Sequence, residues 1–291
     1  MGLCDEVRSS CAAIAASARW VAIDSDRLDA LEPGASQPVL DPERHYLEGA
    51  REDVARYVLT LDAVNFGSGW FPTLRKRPGC SGYFTVAWAL ADRFRSEGPW
   101  TDLELRGLDA GEVARVLGQD PGHELMALYA EALHQLASFL AGRSALEAIA
   151  ASGGSAEHLA AQLAAAMEFF DDRGFYKRAQ IVPSDLAAAG VADFVDLDRL
   201  TIFADNVVPH VLRVDGVLRY HPELAARIDA GELLAPGERE REIRGCAVHA
   251  CELICARAGV APRTLDAWLW SRGQAPAYKS RPRHRTRTVF Y

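Results

Sequence analysis

No run of 18 apolar residues free of charge occurs in the 291-residue chain, so nothing in it reads as a membrane span. Phosphate-binding loops of the G-x-x-x-x-G-K-[ST] type are missing, as are G-x-S-x-G and H-E-x-x-H. Those absences exclude P-loop nucleotide triphosphatases, nucleophile-elbow hydrolases and HExxH zinc proteases. Cysteine is sparse: Cys4, Cys11, Cys80, Cys246, Cys251 and Cys255, none in a C-x-x-C pair. Few scattered cysteines in a long chain read as reduced thiols of a cytoplasmic protein. Cys246, Cys251 and Cys255 fall on one helical stretch with His249, but at no common zinc spacing, so they read as core thiols. Positive charge is also short. With 32 Lys and Arg against 40 Asp and Glu, the net charge is −8. A protein that grips a long polynucleotide shows a basic surface, so stable nucleic-acid binding is not expected. A small phosphorylated ligand stays open, because a basic pocket can sit in an acidic protein. The N-terminal MGLCDEVRSS is acidic early, unlike a signal peptide, and Glu6 stands where myristoylation requires Ser or Thr.

The content is that of a globular chain, 49% hydrophobic and 25% charged. Its length suits one catalytic domain over residues 1–291, as a single mass or as two helical lobes around a cleft. Helical patterns dominate: residues 6–19, 45–61, 82–97, an Asp109-capped segment ending at Leu117, 123–140 and 155–170. Asp109 and Glu112 have the spacing of an N-cap and its N3 partner. Strand signals are few: Trp20–Asp24, Thr201–Phe203, Val214–Leu218 and the closing TRTVFY. Residues 32–42 carry three prolines and read as a loop. No repeat or long linker divides the chain. The fold class is therefore mostly α, with a few short strands.

Three segments break the amphipathic pattern. DAVNFGSGWFP (62–72) sets Asn65, Phe66, Trp70 and Phe71 around a glycine break. It reads as a buried turn with aromatic anchors, or as a stacking platform for a planar base with an amide to read its edge. FYKRAQI (175–181) sets Lys177 and Arg178 beside aromatics, an exposed helix face or a phosphate clamp. LTIFADNVVPHVL (200–212) carries Asp205 directly after an apolar run. An acid there is capped, paired or working, and the N-cap of a helix containing Pro209 is one such setting. The tail KSRPRHRTRTVFY (279–291) has six basic side chains, counting His284, and no acid. It fits phosphate, or pairing with the acidic remainder of the fold.

NFGSGWFP, FYKRAQI, LTIFADNVVP, EREIRGCAVHACE and LWSRGQ…YKSRPRHRTRTVFY, in that order, resemble the queuosine salvage protein family, the queuosine 5′-phosphate N-glycosylase/hydrolases. The family's first motif reads closer to N-F-C-F-W, and here Gly67, Ser68 and Gly69 replace its centre. The resemblance implies a helical fold similar to DNA glycosylases of the helix-hairpin-helix superfamily. It implies a small-molecule substrate, queuosine 5′-monophosphate, and release of its base queuine. ADNVVPHVLRV looks like the V-D-T-H-V-x-R-V stretch of those glycosylases, which maps the catalytic role onto Asp205. On that basis Asn65, Asp62, Phe66, Trp70 and Phe71 would meet the base. Lys177, Arg178, Tyr176, Arg244 and His249 would hold phosphate and ribose. Water and side chains suffice for the chemistry, so no cofactor is expected. Two rivals remain: a nucleic-acid base-excision glycosylase of similar fold, and a non-catalytic binder of a modified nucleotide or tRNA, which the basic tail favours.

Overall fold

The computed structural model describes residues 2–34 and 36–291. Among them are fifteen α-helices and two three-residue strands, so the mostly α class holds. Val21–Ile23 pairs antiparallel with Leu218–Tyr220, Val21 facing Tyr220 and Ile23 facing Leu218. No helix of the described residues is long and apolar enough to cross a membrane.

The helices form where sequence periodicity and caps agree. Leu3–Ser17 buries Cys4, Val7 and Cys11 on one stripe, against the 21-residue helix Glu238–Ala258. Gly245 permits that approach: a Cβ there would lie 2.6 Å from Ile14 Cγ2. Asp109 accepts the Glu112 N–H at 2.8 Å, as its spacing implies. The Glu112 carboxylate turns to Arg115 instead of closing the reciprocal bond. Arg51–Ala63 packs on Gly82–Glu97, Glu124–Leu140 and Lys177–Ala188, and the last also packs on Ala156–Ala166.

Several sequence expectations fail at element ends. The helix expected from His45 begins at Arg51. His45 lies in irregular chain, with Nδ1 on the Asp41 carbonyl at 2.8 Å and Nε2 on the Tyr83 hydroxyl at 3.0 Å. The helix expected over 155–170 stops at Ala166, and a separate 3₁₀ turn covers Glu168–Phe170. Val214 closes the helix Val208–Val214, so the second strand begins only at Leu218. Thr201–Phe203 and the TRTVFY tail are not strands. Side chains satisfy part of their backbone: Thr201 N–H donates to Gln180 Oε1 at 2.8 Å, and Phe203 N–H to Asp266 Oδ1 at 2.8 Å.

The tail instead runs as a strap across the 62–72 loop, and the GSG break is its seat. Gly67, at φ +101, donates its N–H to the Tyr291 carbonyl at 3.0 Å. A Cβ on Gly69 would stand 2.4 Å from the Thr286 carbonyl oxygen, a backbone atom that cannot swing aside. Gly69→Ala should therefore push the strap off its seat and cost about 1–3 kcal/mol, the usual range for overpacking. Chemical denaturation reads that loss, and an unchanged midpoint would show that the strap is not held there.

Candidate functional site

The helix Lys177–Ala188 starts in an unusual way. Gly174 and Tyr176 both take positive φ, +82 and +47, turning the chain so that Lys177 and Arg178 enter the interior. The exposed-face alternative for this pair is wrong: Lys177 is 6% exposed and Arg178 1%. Their fates differ. Arg178 donates to the Ala63 carbonyl at 2.7 Å and the Asp62 carbonyl at 3.2 Å, and also to Phe169. Its guanidinium lies 4.7 Å from the Phe66 ring centroid and 4.5 Å from that of Phe170. With its terminal nitrogens turned to backbone carbonyls at the Arg51–Ala63 helix end and at Phe169, Arg178 is a brace and does not line the cleft. Lys177 forms no hydrogen bond or ion pair among the described residues and opens on a cleft of about 750 Å³. Burial lowers its pKa, and Asp205 is the strongest influence in the other direction.

Asp205 follows the buried segment Thr201–Ala204. That segment is pinned by Gln180, by Asp266 and by Arg244, whose Nε donates to the Ala204 carbonyl at 2.9 Å. Asp205 Oδ1 accepts the N–H groups of Val207 at 2.6 Å and Val208 at 3.0 Å, where the helix Val208–Val214 begins. No described residue donates to Oδ2, and Asp205 lines the cleft. Capping and cleft exposure thus coexist: one oxygen fixes the side chain and the other is free to meet a ligand.

The 62–72 loop delivers part of its expected set. Asn65, Phe66 and Phe71 line the cleft. Trp70 does not, because its ring is buried and its Nε1 donates to Glu124 Oε2 at 2.7 Å. Asp62 is sealed behind Asn65, with Oδ1 accepting from Asn65 Nδ2 at 3.3 Å. It orients the amide without reaching the cleft itself. Desolvation drives the Asp62 pKa well above the usual carboxylate range, and Asp185 reinforces it. Both alternatives for this loop are therefore partly present: Trp70 and the fully buried Phe66 anchor the turn, while the half-buried Phe71 faces the cleft.

Tyr176, Arg244 and His249 also fall outside the cleft lining. The Tyr176 hydroxyl donates to Glu6 Oε1 at 2.9 Å. Arg244 is locked in a buried network with Asp172 and Glu240, stacked 4.0 Å from the Phe175 ring centroid and 4.6 Å from that of Tyr291. It holds the Asp205 segment and the strap in place, with four hydrogen bonds to protein acceptors and its charge paired to two buried carboxylates. His249 is half-buried on Glu238–Ala258, away from the cleft. Cys246, Cys251 and Cys255 on the same helix are buried free thiols. Burial pushes the thiols of Cys246 and Cys255 up to about 12, and that of Cys251 up as well. Among the described residues no three His, Cys, Asp or Glu side chains gather in a metal-binding arrangement.

In place of those cations the strap supplies others. Lys279, Arg283 and Arg285 line the cleft. Arg287 pairs with Glu124 at 3.2 Å. The tail thus serves both of its possible roles, one in part with acid and one toward open space. Arg283 has no hydrogen-bond or ion-pair partner among the described residues. Burial lowers its pKa against the pull of Asp205.

Two carboxylates escaped the sequence reading. Asp266, on the helix Pro262–Arg272, is 8% exposed, and its pKa is pushed up to about 8 by desolvation, with Asp205 adding to it. Asp185 lies two turns beyond Lys177 on the same helix face, and desolvation raises it to about 7. The signal that singled out Asp205, an acid amid apolar residues, was present at both: L-D-A-W-L-W and I-V-P-S-D-L-A. Phe203 and Trp270 are further cleft aromatics that spacing did not reveal.

The assembled site is a cleft with partnerless cations and one half-free carboxylate at one end, aromatic walls, and two carboxyls, Asp266 and Asp185, whose pKa values burial raises. Residues 45–291 match the family model described as queuosine salvage protein. The chain is 36% identical over 279 residues to the queuosine 5′-phosphate N-glycosylase/hydrolase of Sphaerobacter thermophilus, covering 87% of this chain and 86% of that protein. Proteins of the same name from Dictyostelium discoideum (39% over 134 residues, 40% of each chain) and Mus musculus (32% over 177 residues, 52% of each chain) are also similar.

Proposed function

This chain belongs to the queuosine salvage protein family, and from that premise we propose that it hydrolyses the N-glycosidic bond of queuosine 5′-monophosphate and releases queuine. The observation that carries the reading is Asp205: one oxygen is fixed by two backbone N–H groups and the other faces a nucleotide-sized cleft between partnerless cations. We read residues 1–291 as one catalytic unit with a fold similar to the helix-hairpin-helix DNA glycosylases, working in the reducing cytoplasm where its six thiols stay free.

Breaking C1′–N9 builds positive charge on the ribose, as in glycosidase transition states. Asp205 Oδ2 stabilises that charge and takes a proton from the water whose oxygen adds to C1′. The electron pair of the broken bond leaves with the base, which needs a proton in return. A 7-deazapurine has carbon at position 7, so the proton must arrive elsewhere on the ring. Asp266 holds one at neutral pH, with Oδ1 occupied by the Phe203 N–H and the other oxygen available as donor. Asp205 then passes its proton to solvent and Asp266 regains one. Phe71, Phe203 or Trp270 stacks on the base, and the Asn65 amide oxygen, freed because its nitrogen faces Asp62, reads the ring edge.

Lys177 and Arg283 hold the 5′-phosphate. Arg283→Ala and Lys177→Ala should each raise KM for queuosine 5′-monophosphate about 10- to 100-fold, the weight of a charge-assisted hydrogen bond. Each should narrow the preference for the phosphorylated over the unphosphorylated nucleoside. A variant that keeps the full preference removes that residue from the phosphate site. The primary test is incubation of the protein with queuosine 5′-monophosphate, followed by chromatography for free base. Bound but intact nucleotide would mark a binding protein and end the hydrolytic reading. Gel shifts with duplex and single strands test whether nucleic acid is bound, which the net charge of −8 opposes.

A further inference from the structure

One group in the cleft has no place in the hydrolytic step. Asp185 lines the cleft, and its carboxylate forms no hydrogen bond or ion pair among the described residues. The cations whose fields reach it, Lys177 and Arg263, form no ion pair with it. Its neighbour in sequence, Ser184, is fully buried on the same wall, and the Ser184 hydroxyl has no partner. The Tyr83 hydroxyl faces the same region, feels Asp185 most strongly among its charged neighbours, and sits 3.0 Å from His45 Nε2. With His45 Nδ1–H on the Asp41 carbonyl, Nε2 accepts from Tyr83, leaving the phenolic oxygen free to accept. A desolvated acid and a buried hydroxyl, both unpaired and on one wall, are each costly unless a ligand completes them.

Charge decides which ligand. A neutral ring edge would leave a carboxylate uncompensated in low dielectric, whereas an ammonium neutralises it. Queuine carries such a group: a secondary amine, protonated at neutral pH, joins the 7-methylene of its ring to a cyclopentenediol. Lys177, Ile181, Ser184 and Asp185 share one face of the helix Lys177–Ala188, with Asp185 eight positions, about 12 Å along the helix axis, beyond Lys177. The cleft wall is thus cationic where the phosphate would lie and anionic two turns away.

We infer that Asp185 is the counter-ion for the secondary ammonium of the substrate's side arm, with the Ser184 hydroxyl and the Tyr83 phenol meeting the diol, and that this site selects the armed base over a plain 7-deazaguanine. The inference rests on queuosine 5′-monophosphate being the nucleotide bound. Affinity measured by calorimetry in the folded, turnover-deficient Asp205→Asn background separates it from the hydrolytic reading. Protein of that background should bind queuosine 5′-monophosphate at least about 10-fold more tightly than 7-deazaguanosine 5′-monophosphate, the weight of one charged hydrogen bond. Asp185→Asn should erase most of that preference by weakening the armed nucleotide alone, with KM raised and kcat little changed in otherwise wild-type protein. Ser184→Ala, a milder change, should lower the armed affinity a few-fold, as for one lost neutral hydrogen bond, and leave the armless one untouched. Equal weakening of both nucleotides in Asp185→Asn, or an intact preference in both variants, overturns the assignment. Failure of the wild type to release base while the binding preference persists would count against hydrolysis and leave the arm site standing.

Discussion

Asp205→Asn should fold as the parent does and lose at least about 10³-fold in kcat, the combined weight of a general base and a fixed charge at the reacting carbon. The reasoning separates the two oxygens. Oδ1 accepts the N–H groups of Val207 and Val208 and starts the helix Val208–Val214. Asparagine keeps an oxygen there, so the helix start survives. What it loses is the negative charge and basicity of the second oxygen, the one facing the cleft. Asp205→Ala makes the comparison sharper, because it removes the cap as well and should cost about 1 kcal/mol of stability besides. Thermal melts and single-turnover base release, run on both variants, distinguish the roles. An Asn variant with near-normal turnover would disqualify Asp205 as the general base, while an Asn variant that melts like the Ala variant would show that its loss was structural.

The residues that sequence placed well were those with local causes. Helix interiors followed from apolar periodicity, the Asp109 cap from its spacing to Glu112, and Asp205 from being an acid directly after Ile202, Phe203 and Ala204. The errors were about where side chains point after long-range packing. Lys177 and Arg178 are adjacent in sequence, yet the positive-φ turn at Gly174 and Tyr176 sends one into the cleft and the other under the Arg51–Ala63 helix end. Nothing local to F-Y-K-R distinguishes them. Arg244 read as a phosphate ligand because its partner Asp172 lies 72 residues away. Trp70 suits a stacking ring by its local sequence, because the Glu124 that claims its nitrogen lies 54 residues on. The GSG break is explained by the tail more than 200 residues later, whose backbone lies on Gly69.

Asp266→Asn is the second large effect, an expected fall in kcat of about 10²-fold or more, within the range for a lost general acid. The proton it carries follows from its surroundings: burial and the nearby Asp205 raise it to about 8, against an ordinary carboxylate near 3.9. The direction with pH is fixed by that shift. The donor form is present below about 8 and lost as pH rises through it, so wild-type kcat should decline on the alkaline side with a midpoint there. In Asp266→Asn that limb should vanish, because an amide does not titrate, while its oxygen still accepts the Phe203 N–H that Oδ1 accepts now. Wild-type stability should move in the same direction with pH. A carboxyl whose folded pKa is raised favours folding at low pH, and that contribution drains away as pH climbs from the unfolded value through the folded one. At pH 8 and above, the wild type holds a buried charge that the variant lacks, so the variant should melt at or above the parent temperature. Loss of activity without loss of stability, together with a missing alkaline limb, is a signature that a structural role cannot produce. Asp185, raised to about 7, would print its own titration on KM, leaving the two acids separable by which constant moves. A variant that keeps the alkaline limb in kcat would assign that proton to another group.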